Sequence, residues 1–544
     1  LDANSDSETL FSLEAEDTHG LLEKVQALKQ FNIQNEDQNV NQLACRWHEA
    51  NSNKKMNPLA LSLIVNDKYQ LSNLLDDAHQ IIESGKTVLN NRIFFTPEPL
   101  GATGKLAYVF PGSGNHFAGM GRDIARHWPE MLKHLEDENK YLASQFADSQ
   151  FWATEDTSNF NHIDLIFAQV WLGTLVSDVI SSHGVKPNAV IGYSLGETTG
   201  LFATRTWTDR DLMLQRMKES SLFKTDLAGT CTAARETWAL SENVNVDWQV
   251  GVIQCPAETV RKALTNRPWV YLLIINTPGE CVIGGNRIAV YNLVVDLKCP
   301  FNPIEGITTV HCEIAGLVKQ AYRDLHLLET TPPKDISFYS GILGRTYDVN
   351  RDSAADSITN QAIEPFDYTK VIHAAYNEGI RLFIEMGPGM SCTRMIDTIL
   401  GDKPHVAASA CVKGQNGTSS ILRTLALLTT HRVDVDTSPL FKQTSETTDP
   451  MTVPSMISVQ TGHGPVKIPP FPELDSTPPP VEIETTVAKP ELAEVIAHPA
   501  VAAREFSHNL PIEQLARTET IKSQTHETYL RVANGITQSL GEAL

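Results

Sequence analysis

The segment from Ala189 to Gly200, AVIGYSLGETTG, predicts the fold of this chain. It opens with a short apolar run, continues through a Gly-x-Ser-x-Gly turn at 192–196, and keeps helix-forming residues from Glu197 onward. Strand, tight turn and helix in this order would expose the hydroxyl of Ser194, because glycines on both sides of a serine permit a sharp turn. A five-residue pattern of this kind also occurs by coincidence in loops. The flanking strand and helix favour the first interpretation, in which Ser194 is a candidate nucleophile.

The sequence on either side of this segment predicts an α/β domain. An apolar strand at 106–110 leads into the glycine loop Pro111-Gly112-Ser113-Gly114, a helix is expected to begin near 118–120, and residues 160–181 repeat apolar side chains with a helical period. This order is typical of a parallel sheet covered by helices. From about 246 to 305 the order changes to β-α-β-β-α-β, the ferredoxin-like arrangement. We therefore predict an α/β-hydrolase-like large subdomain with a parallel sheet and an inserted ferredoxin-like small subdomain.

The composition divides the chain into four segments. Residues 1–104 repeat a strand-helix couplet, which predicts a small α/β linker domain, and residues 105–435 form the main domain. Residues 436–510 are rich in Pro, Ser and Thr, so they are expected to run over the surface as a linker. Residues 511–544 recover a helical pattern and are predicted as a C-terminal helix. The chain begins without methionine, so we expect a fragment cut from a longer polypeptide.

Charge and cysteine content exclude several functional classes. A net charge of −21 argues against nucleic acid or an anionic membrane as partner, because both require clustered Lys and Arg. The sequence has no run of about 18 apolar residues, the length that would predict a membrane span, and no signal peptide is visible. The eight cysteines are scattered without metal-ligand spacing, which predicts reduced thiols, a cytoplasmic location and no bound metal.

Three motifs together resemble a known family. They are FPGSGNHFAGMG at 110–121, GYSLGE at 192–197 and TTVHCEIAG at 308–316. Their order and spacing resemble the malonyl-CoA:ACP transacylases and the acyltransferase domains of polyketide and fatty acid synthases. GLFATRTWTDRD and MGPGMSCTRMI are most similar to the polyunsaturated fatty acid synthases and related iterative polyketide synthases. The resemblance covers about 105–430, and residues 1–104 resemble the linker between a ketosynthase and such a domain.

The resemblance implies a serine-histidine active site. Ser194 would be the nucleophile and His311, which follows it by 117 residues, the base that accepts the serine proton. The backbone carbonyl of Gln361 would orient the histidine, and the backbone N–H groups of Leu195 and Ser113 would form the oxyanion hole. No cofactor is expected in this domain, since acyl-CoA or a phosphopantetheinyl acyl-carrier protein would be the substrate. Acyl-carrier protein domains and neighbouring ketosynthase or chain-length-factor domains would be the partners.

One departure from the family pattern bears on the substrate. In family members that carry malonyl groups, an arginine about 25 residues after the serine pairs with the malonyl carboxylate. Counting from Ser194 places Glu219 at that position. Arg216 lies nearly one helical turn earlier and is the alternative clamp. The tetrapeptide Thr308-Thr309-Val310-His311 matches neither the malonyl nor the methylmalonyl motif. The residues predicted to line the substrate pocket are His116, Tyr193, Arg216, Glu219 and Val310.

Four functions remain open at this point. The first is an acyltransferase that esterifies Ser194 and passes a non-carboxylated acyl group to a carrier-protein thiol or, as a thioesterase would, to water. The second is malonyl-CoA:ACP transacylation with Arg216 as the carboxylate clamp. The third is a stand-alone serine esterase, which the lack of an HGGG-type oxyanion loop disfavours. The fourth is a non-catalytic docking module, which the retention of both Ser194 and His311 disfavours.

Overall fold

The computed structural model describes residues 8–51, 56–140, 152, 162–304 and 308–441. The chain divides into two compact units, Leu1–Ser455 and Met456–Leu544, and the second lies entirely outside the described residues. Most of the predicted linker at 436–510 and all of the predicted helix at 511–544 therefore also lie outside them. The predicted domain boundaries stay predictions, whereas the fold class can be compared directly with the structure.

The first part of the chain forms an antiparallel sheet with helices packed against it. Its strands, in sheet order β1-β2-β4-β3, are β1 Thr9–Ala15, β2 Leu59–Val65, β4 Ile93–Phe95 and β3 Val88–Leu89. Its helices are α1 Thr18–Gln34, α2 Val40–Asn51 and α3 Lys68–Ser84. Asp17 and Asp67 cap α1 and α3 by accepting hydrogen bonds from backbone N–H groups, and α3 ends at Gly85 with φ 63°. Of these helices, α2 has no counterpart in the sequence-based prediction.

The nucleophile segment lies in the middle of a six-stranded sheet. In sheet order the strands are β12 Arg345–Tyr347, β11 Ser337–Ser340, β6 Ala189–Gly192, β5 Lys105–Phe110, β14 Ile380–Glu385 and β15 Val406–Ser409. All neighbours pair in parallel except β12, which is antiparallel to β11 at the edge. Because parallel strands need crossover helices, both faces are covered and the strands are almost wholly apolar. The predicted parallel α/β arrangement is confirmed.

Helices pack around this sheet and against one another. They are α4 Arg122–His127, α5 Pro129–Glu138, α6 His162–Ser182, α7 Leu195–Ala203, α8 Arg210–Glu219, α9 Thr232–Thr237, α12 Lys319–His326, α13 Arg351–Ile363, α14 Tyr368–Asn377, α15 Ser391–Leu400 and α16 Gly417–Thr430. Leu222–Asp226 is a π-helical turn and Glu313–Val318 a 3₁₀ helix. The helix expected after the glycine loop begins at Arg122, later than 118–120.

Helix α6 is the core helix of the large subdomain. Among the described residues it alone is long and apolar enough to cross a membrane, but 72% of its most apolar window is buried inside the protein. It packs along α7, the helix that follows Ser194. Its Gly173 lies so close to Thr199 that a Cβ atom there would stand 2.6 Å from the threonine methyl carbon. This close approach fixes α7, and with it the nucleophile turn, against the core.

The small subdomain has the predicted β-α-β-β-α-β order. Its elements are β7 Trp248–Ile253, α10 Ala257–Leu264, β8 Val270–Thr277, β9 Glu280–Asn286, α11 Arg287–Leu297 and β10 Phe301–Ile304. The sheet order is β10-β7-β9-β8-β13, where β13 is the two-residue strand Phe366–Asp367 of the large subdomain. This strand pairs in parallel with β8, Phe366 opposite Ile274. The two subdomains therefore share a sheet as well as a core.

Candidate active site

Ser194 occupies a strained turn between β6 and α7. Its backbone has φ 53° and ψ −116°, a region that residues with a side chain seldom occupy. The glycines on either side of Ser194 are also required, because a side chain at either position would collide with the backbone. A Cβ atom on Gly196 would lie 1.9 Å from the carbonyl oxygen of Phe110, and one on Gly192 would lie 2.1 Å from the nitrogen of Glu197. This strand-to-helix turn therefore requires glycine at positions 192 and 196, the two glycines of the Gly-x-Ser-x-Gly pattern.

His311 lies in hydrogen-bond contact with Ser194. Its Nε2 is 2.8 Å from the Ser194 Oγ, and its Nδ1 is 2.7 Å from the backbone carbonyl oxygen of Gln361. A carbonyl oxygen only accepts, so Nδ1 carries the ring proton and Nε2 is left as an acceptor for the serine hydroxyl. The His311 backbone has φ 65°, in the left-handed region that residues with a side chain seldom occupy. The chain thus brings together the three groups that the sequence predicted as nucleophile, base and orienting carbonyl.

Burial keeps the His311 ring neutral. The side chain is 6% exposed, and burial lowers the pKa of His311 to about 4, against a smaller opposing effect of the hydrogen bond to Gln361. Phe366 packs edge-on against the ring with 5.2 Å between centroids. A neutral imidazole with a free lone pair at Nε2 is the form that can take a proton from a serine hydroxyl.

Two backbone N–H groups lie beside this pair, on Leu195 and Ser113. Both residues line the same cleft as Ser194, and neither N–H has a hydrogen-bond acceptor among the described residues. Leu195 is the first residue of α7, so its N–H lies at the positive end of the helix dipole. Gln169 of α6 fixes the glycine loop that carries Ser113, since its side chain donates to the Gly112 carbonyl at 2.8 Å and accepts from the Gly114 N–H at 3.0 Å.

A buried carboxylate supports the carbonyl that holds His311. Glu197 is 5% exposed and accepts hydrogen bonds from the backbone N–H of Gly341, the side-chain amide of Gln361 and, at 3.2 Å, the hydroxyl of Ser357. The first two bonds are both 2.8 Å long. Burial raises the pKa of Glu197 to about 7, although the hydrogen bonds from Gly341 and Ser357 act to lower it. Gln361 therefore touches His311 through its backbone and Glu197 through its side chain.

A deep cleft extends from Ser194 between the subdomains. It encloses about 1120 Å³ of empty space, part of it open to solvent. Most of the residues that line it are apolar, including Phe167, Phe202, Met213, Met217, Phe223 and Leu325. None of the described residues that line it is Lys, Arg, Asp or Glu. The hydroxyl of Tyr193, also in the wall, donates to the Asn276 side chain at 2.7 Å and thereby joins the nucleophile turn to the small subdomain.

Three of the five residues predicted to line the pocket do not line it. Tyr193 and Val310 do, whereas His116, Arg216 and Glu219 lie outside. Arg216 donates to the carbonyl oxygens of Asp324, Leu325 and Leu327 at the end of α12, at 3.1 to 3.3 Å.

The prediction for Glu219 is wrong because counting residues does not fix which face of a helix meets a cleft. Glu219 is exposed and bonded to Gln215, and α8 presents Met213 and Met217 to the cleft, one turn apart. His116 has a half-buried ring beside the glycine loop, and burial lowers its pKa. Sequence reasoning also missed Tyr322 and His326 of α12, which lie four residues apart and line the cleft together with Leu325.

Curated relatives of this chain are multidomain synthases. The chain is 24% identical over 379 residues to one subunit of the polyunsaturated fatty acid synthase of Thraustochytrium sp., a match to 64% of this chain and 18% of the relative. It is 25% identical over 370 residues to polyketide synthase GfsA of Streptomyces halstedii, covering 64% of this chain and 5% of the relative. The matched region therefore spans less than a fifth of either relative. No family model matches the chain.

Solved structures with the same fold are acyltransferase domains. The domain from module 8 of the salinomycin polyketide synthase superposes with a TM-score of 0.63 and 17% identity, covering 79% of this chain and 97% of that one. The acyltransferase domain of SpnD gives a TM-score of 0.60 and 16% identity, covering 79% and 98%. The resemblance stated from the sequence is confirmed at the level of the fold. The chain has the fold of polyketide synthase acyltransferase domains and is related in sequence to polyketide and polyunsaturated fatty acid synthases.

Proposed function

We propose that this domain transfers acyl groups through an ester on Ser194. The contact between Ser194 Oγ and His311 Nε2 carries the proposal, because it supplies a nucleophile and a neutral base in one hydrogen bond. As Oγ forms a bond to the thioester carbonyl carbon, its proton passes to Nε2 and the C–O π electrons move to the oxygen. When the C–S bond breaks, the proton moves from Nε2 to the departing sulfur. The products are the acyl-Ser194 ester and a free thiol.

The tetrahedral intermediate requires donors for its oxyanion. The unpaired N–H groups of Leu195 and Ser113 support this role, and one such donor is typically worth about 10²- to 10³-fold in rate. In the second half of the reaction an acceptor hydroxyl or thiol gives its proton to Nε2 and attacks the ester carbonyl, and Ser194 recovers the proton when the C–O bond breaks. A carrier-protein pantetheine thiol makes the domain a transferase, and water makes it a thioesterase.

The cleft favours acyl groups that lack a distal carboxylate. A malonyl group would bring a negative charge into an apolar wall with no Lys or Arg among the described residues that line it. Leaving a buried charge without a partner costs about 3–5 kcal/mol. Arg216, the alternative clamp, already satisfies three backbone carbonyls. The substrate we propose is an acyl-CoA or acyl-carrier protein with an uncharged chain, and the partners are carrier-protein and ketosynthase domains of a multienzyme.

Acyl-enzyme trapping tests this proposal. Intact-mass spectrometry after brief exposure to octanoyl-CoA should show a covalent adduct, and exposure to malonyl-CoA should show less than about a tenth of it, since one tenfold step corresponds to about 1.4 kcal/mol. Ser194→Ala should show no adduct with either thioester. Release of free octanoate without added carrier protein would identify water as the acceptor.

A malonyl adduct as abundant as the octanoyl adduct would overturn the assignment of the substrate. An adduct that survives Ser194→Ala would overturn the assignment of the nucleophile. The two failures are separate, because the first concerns the cleft wall and the second the reacting atom.

Glu197→Gln tests the support of the orienting carbonyl. The neutral amide would place an NH₂ group opposite the N–H donor of either Gln361 or Gly341, and an unsatisfied buried donor costs about 1–3 kcal/mol. We expect kcat for acyl transfer to fall about tenfold with little change in KM, since the substrate does not touch Glu197. Steady-state kinetics on purified protein measures both.

Ser357→Ala is the matched control for Glu197→Gln. It removes the 3.2 Å hydrogen bond to the same carboxylate, together with the contact to the Ser340 hydroxyl, and leaves the contact of Gln361 intact. Its kcat should stay within about twofold of the wild type. Equal losses of kcat in the two variants would show that Glu197 acts on general stability rather than through Gln361.

A further inference from the structure

We propose that the acyl cleft recognises a hydroxyl group on the bound chain through Tyr322 and His326. This inference rests on the proposed function and adds the chemistry of its substrate. Both side chains belong to α12, which begins eight residues after His311, and both line the cleft that contains Ser194. They are polar groups in a wall that is otherwise mainly apolar.

His326 presents an unpaired acceptor. Its Nδ1 lies 2.8 Å from the backbone carbonyl oxygen of Tyr322, so Nδ1 must carry the ring proton and Nε2 holds a lone pair. No described residue donates a hydrogen bond to Nε2. The residue is 5% exposed and lines the cleft. Polar atoms in such surroundings normally have a partner.

Tyr322 presents an unpaired hydroxyl next to this acceptor. No described residue forms a hydrogen bond with the phenol oxygen. The ring stacks on His326 with 4.9 Å between centroids and an interplanar angle of 28°, and it touches Phe223 at 5.9 Å. The stacking holds the two rings against each other, and both residues line the same cleft.

Both groups are uncharged at neutral pH. Burial lowers the pKa of His326 to about 4, with a further contribution from the positive charge of Arg216, and burial raises the pKa of Tyr322. The pair therefore offers one neutral acceptor and one neutral donor. A hydroxyl group can satisfy both, because it donates to Nε2 and accepts from the phenol. A carboxylate would meet the Nε2 lone pair and find no cation in the described wall.

The backbone around this pair is held in place. Arg216 of α8 binds the carbonyl oxygens of Asp324, Leu325 and Leu327, which tie the end of α12 to α8. The arginine considered from sequence as a carboxylate clamp thus positions the helix that carries the two polar groups. A fixed donor and acceptor discriminate by leaving a buried group unpaired when the ligand lacks the matching hydroxyl.

A series of thioesters tests the inference. The probes are octanoyl-CoA and the four isomeric hydroxyoctanoyl-CoA thioesters with the hydroxyl at carbon 3, 5, 7 or 8. The measured quantity is kcat/KM for acylation of Ser194. At least one hydroxylated isomer should react about tenfold faster than octanoyl-CoA. Tyr322→Phe removes only the phenol oxygen, so the variant should fold, and it should abolish that preference.

The matched control is Tyr291→Phe, the same change at a surface position of α11 that is 53% exposed. It should leave the ratio of kcat/KM between the hydroxylated thioesters and octanoyl-CoA unchanged. The inference is overturned if octanoyl-CoA reacts as fast as every hydroxylated isomer, or if Tyr322→Phe keeps the preference. Failure of all five thioesters to acylate Ser194 would instead overturn the proposed function, and this inference with it.

Discussion

Replacing His311 by alanine should lower the rate of Ser194 acylation by about 10²- to 10⁴-fold, the usual worth of a positioned general base. The Ser194 hydroxyl would lose the acceptor that now lies 2.8 Å away, while the cleft and the backbone N–H groups would remain. Single-turnover release of thiol from octanoyl-CoA measures the rate directly. His19→Ala is the control, because this histidine lies on the surface in α1 with its side chain 83% exposed, and the acylation rate of this variant should stay within about twofold of the wild type.

The pH dependence of the wild-type acylation rate is a second test of the role of His311. Protonation of His311 fills the lone pair at Nε2 and stops proton transfer from Ser194. Burial lowers the pKa of His311 to about 4 and raises that of Glu197 to about 7. The rate should therefore fall by about tenfold, as in Glu197→Gln, as the pH drops through 7, and should be lost only near pH 4. A limb near the ordinary histidine value of 6.5 that is still present in Glu197→Gln would contradict the neutral state of His311, because Glu197 could no longer be its source.

Gly196→Ala should be the most damaging small substitution in the large subdomain. The added Cβ would lie 1.9 Å from the carbonyl oxygen of Phe110, and a backbone atom of a central strand cannot give way as a flexible side chain can. Overpacking in a well-packed core commonly costs about 1–3 kcal/mol, and this contact lies at the severe end of that range or beyond it. Urea denaturation followed by tryptophan fluorescence measures the loss in the free energy of unfolding.

Gly316→Ala is the matched control for this substitution. Gly316 lies in the 3₁₀ helix Glu313–Val318, and a Cβ atom there meets nothing within 4 Å. Its free energy of unfolding should change by less than about 0.5 kcal/mol. Equal stability of the two variants would show that the nucleophile turn tolerates a side chain, contrary to the contact described.

The sequence was sufficient for the elements that local chemistry determines. The apolar run before Gly192, the glycines around Ser194 and the alternation of strands and helices each leave a pattern within a few residues. The same holds for the small subdomain, whose predicted β-α-β-β-α-β order is the order found in the structure. The partners of Ser194 were found through the family resemblance, since His311 and Gln361 lie far from it in the chain.

The features that sequence reasoning missed depend on contacts between distant segments. The bond between Glu197 and Gln361 joins residues 164 positions apart, and nothing local marks either one as buried. The side of α8 that meets the cleft depends on how that helix rotates against α12, so a count from Ser194 selected Glu219 instead of Met217. The two-residue strand Phe366–Asp367 is too short to leave a periodic pattern.

The short strand Phe366–Asp367 restricts how the two subdomains can move relative to each other. Phe366 is paired with Ile274 in the sheet of the small subdomain, and its ring packs against both His311 and Tyr193. It also follows closely on Gln361, whose carbonyl oxygen holds the His311 ring. A rigid-body rotation that widened the cleft on this side would have to break backbone hydrogen bonds or pull this segment along. The pairing of this strand with the small subdomain thereby keeps Ser194 and His311 in register with each other.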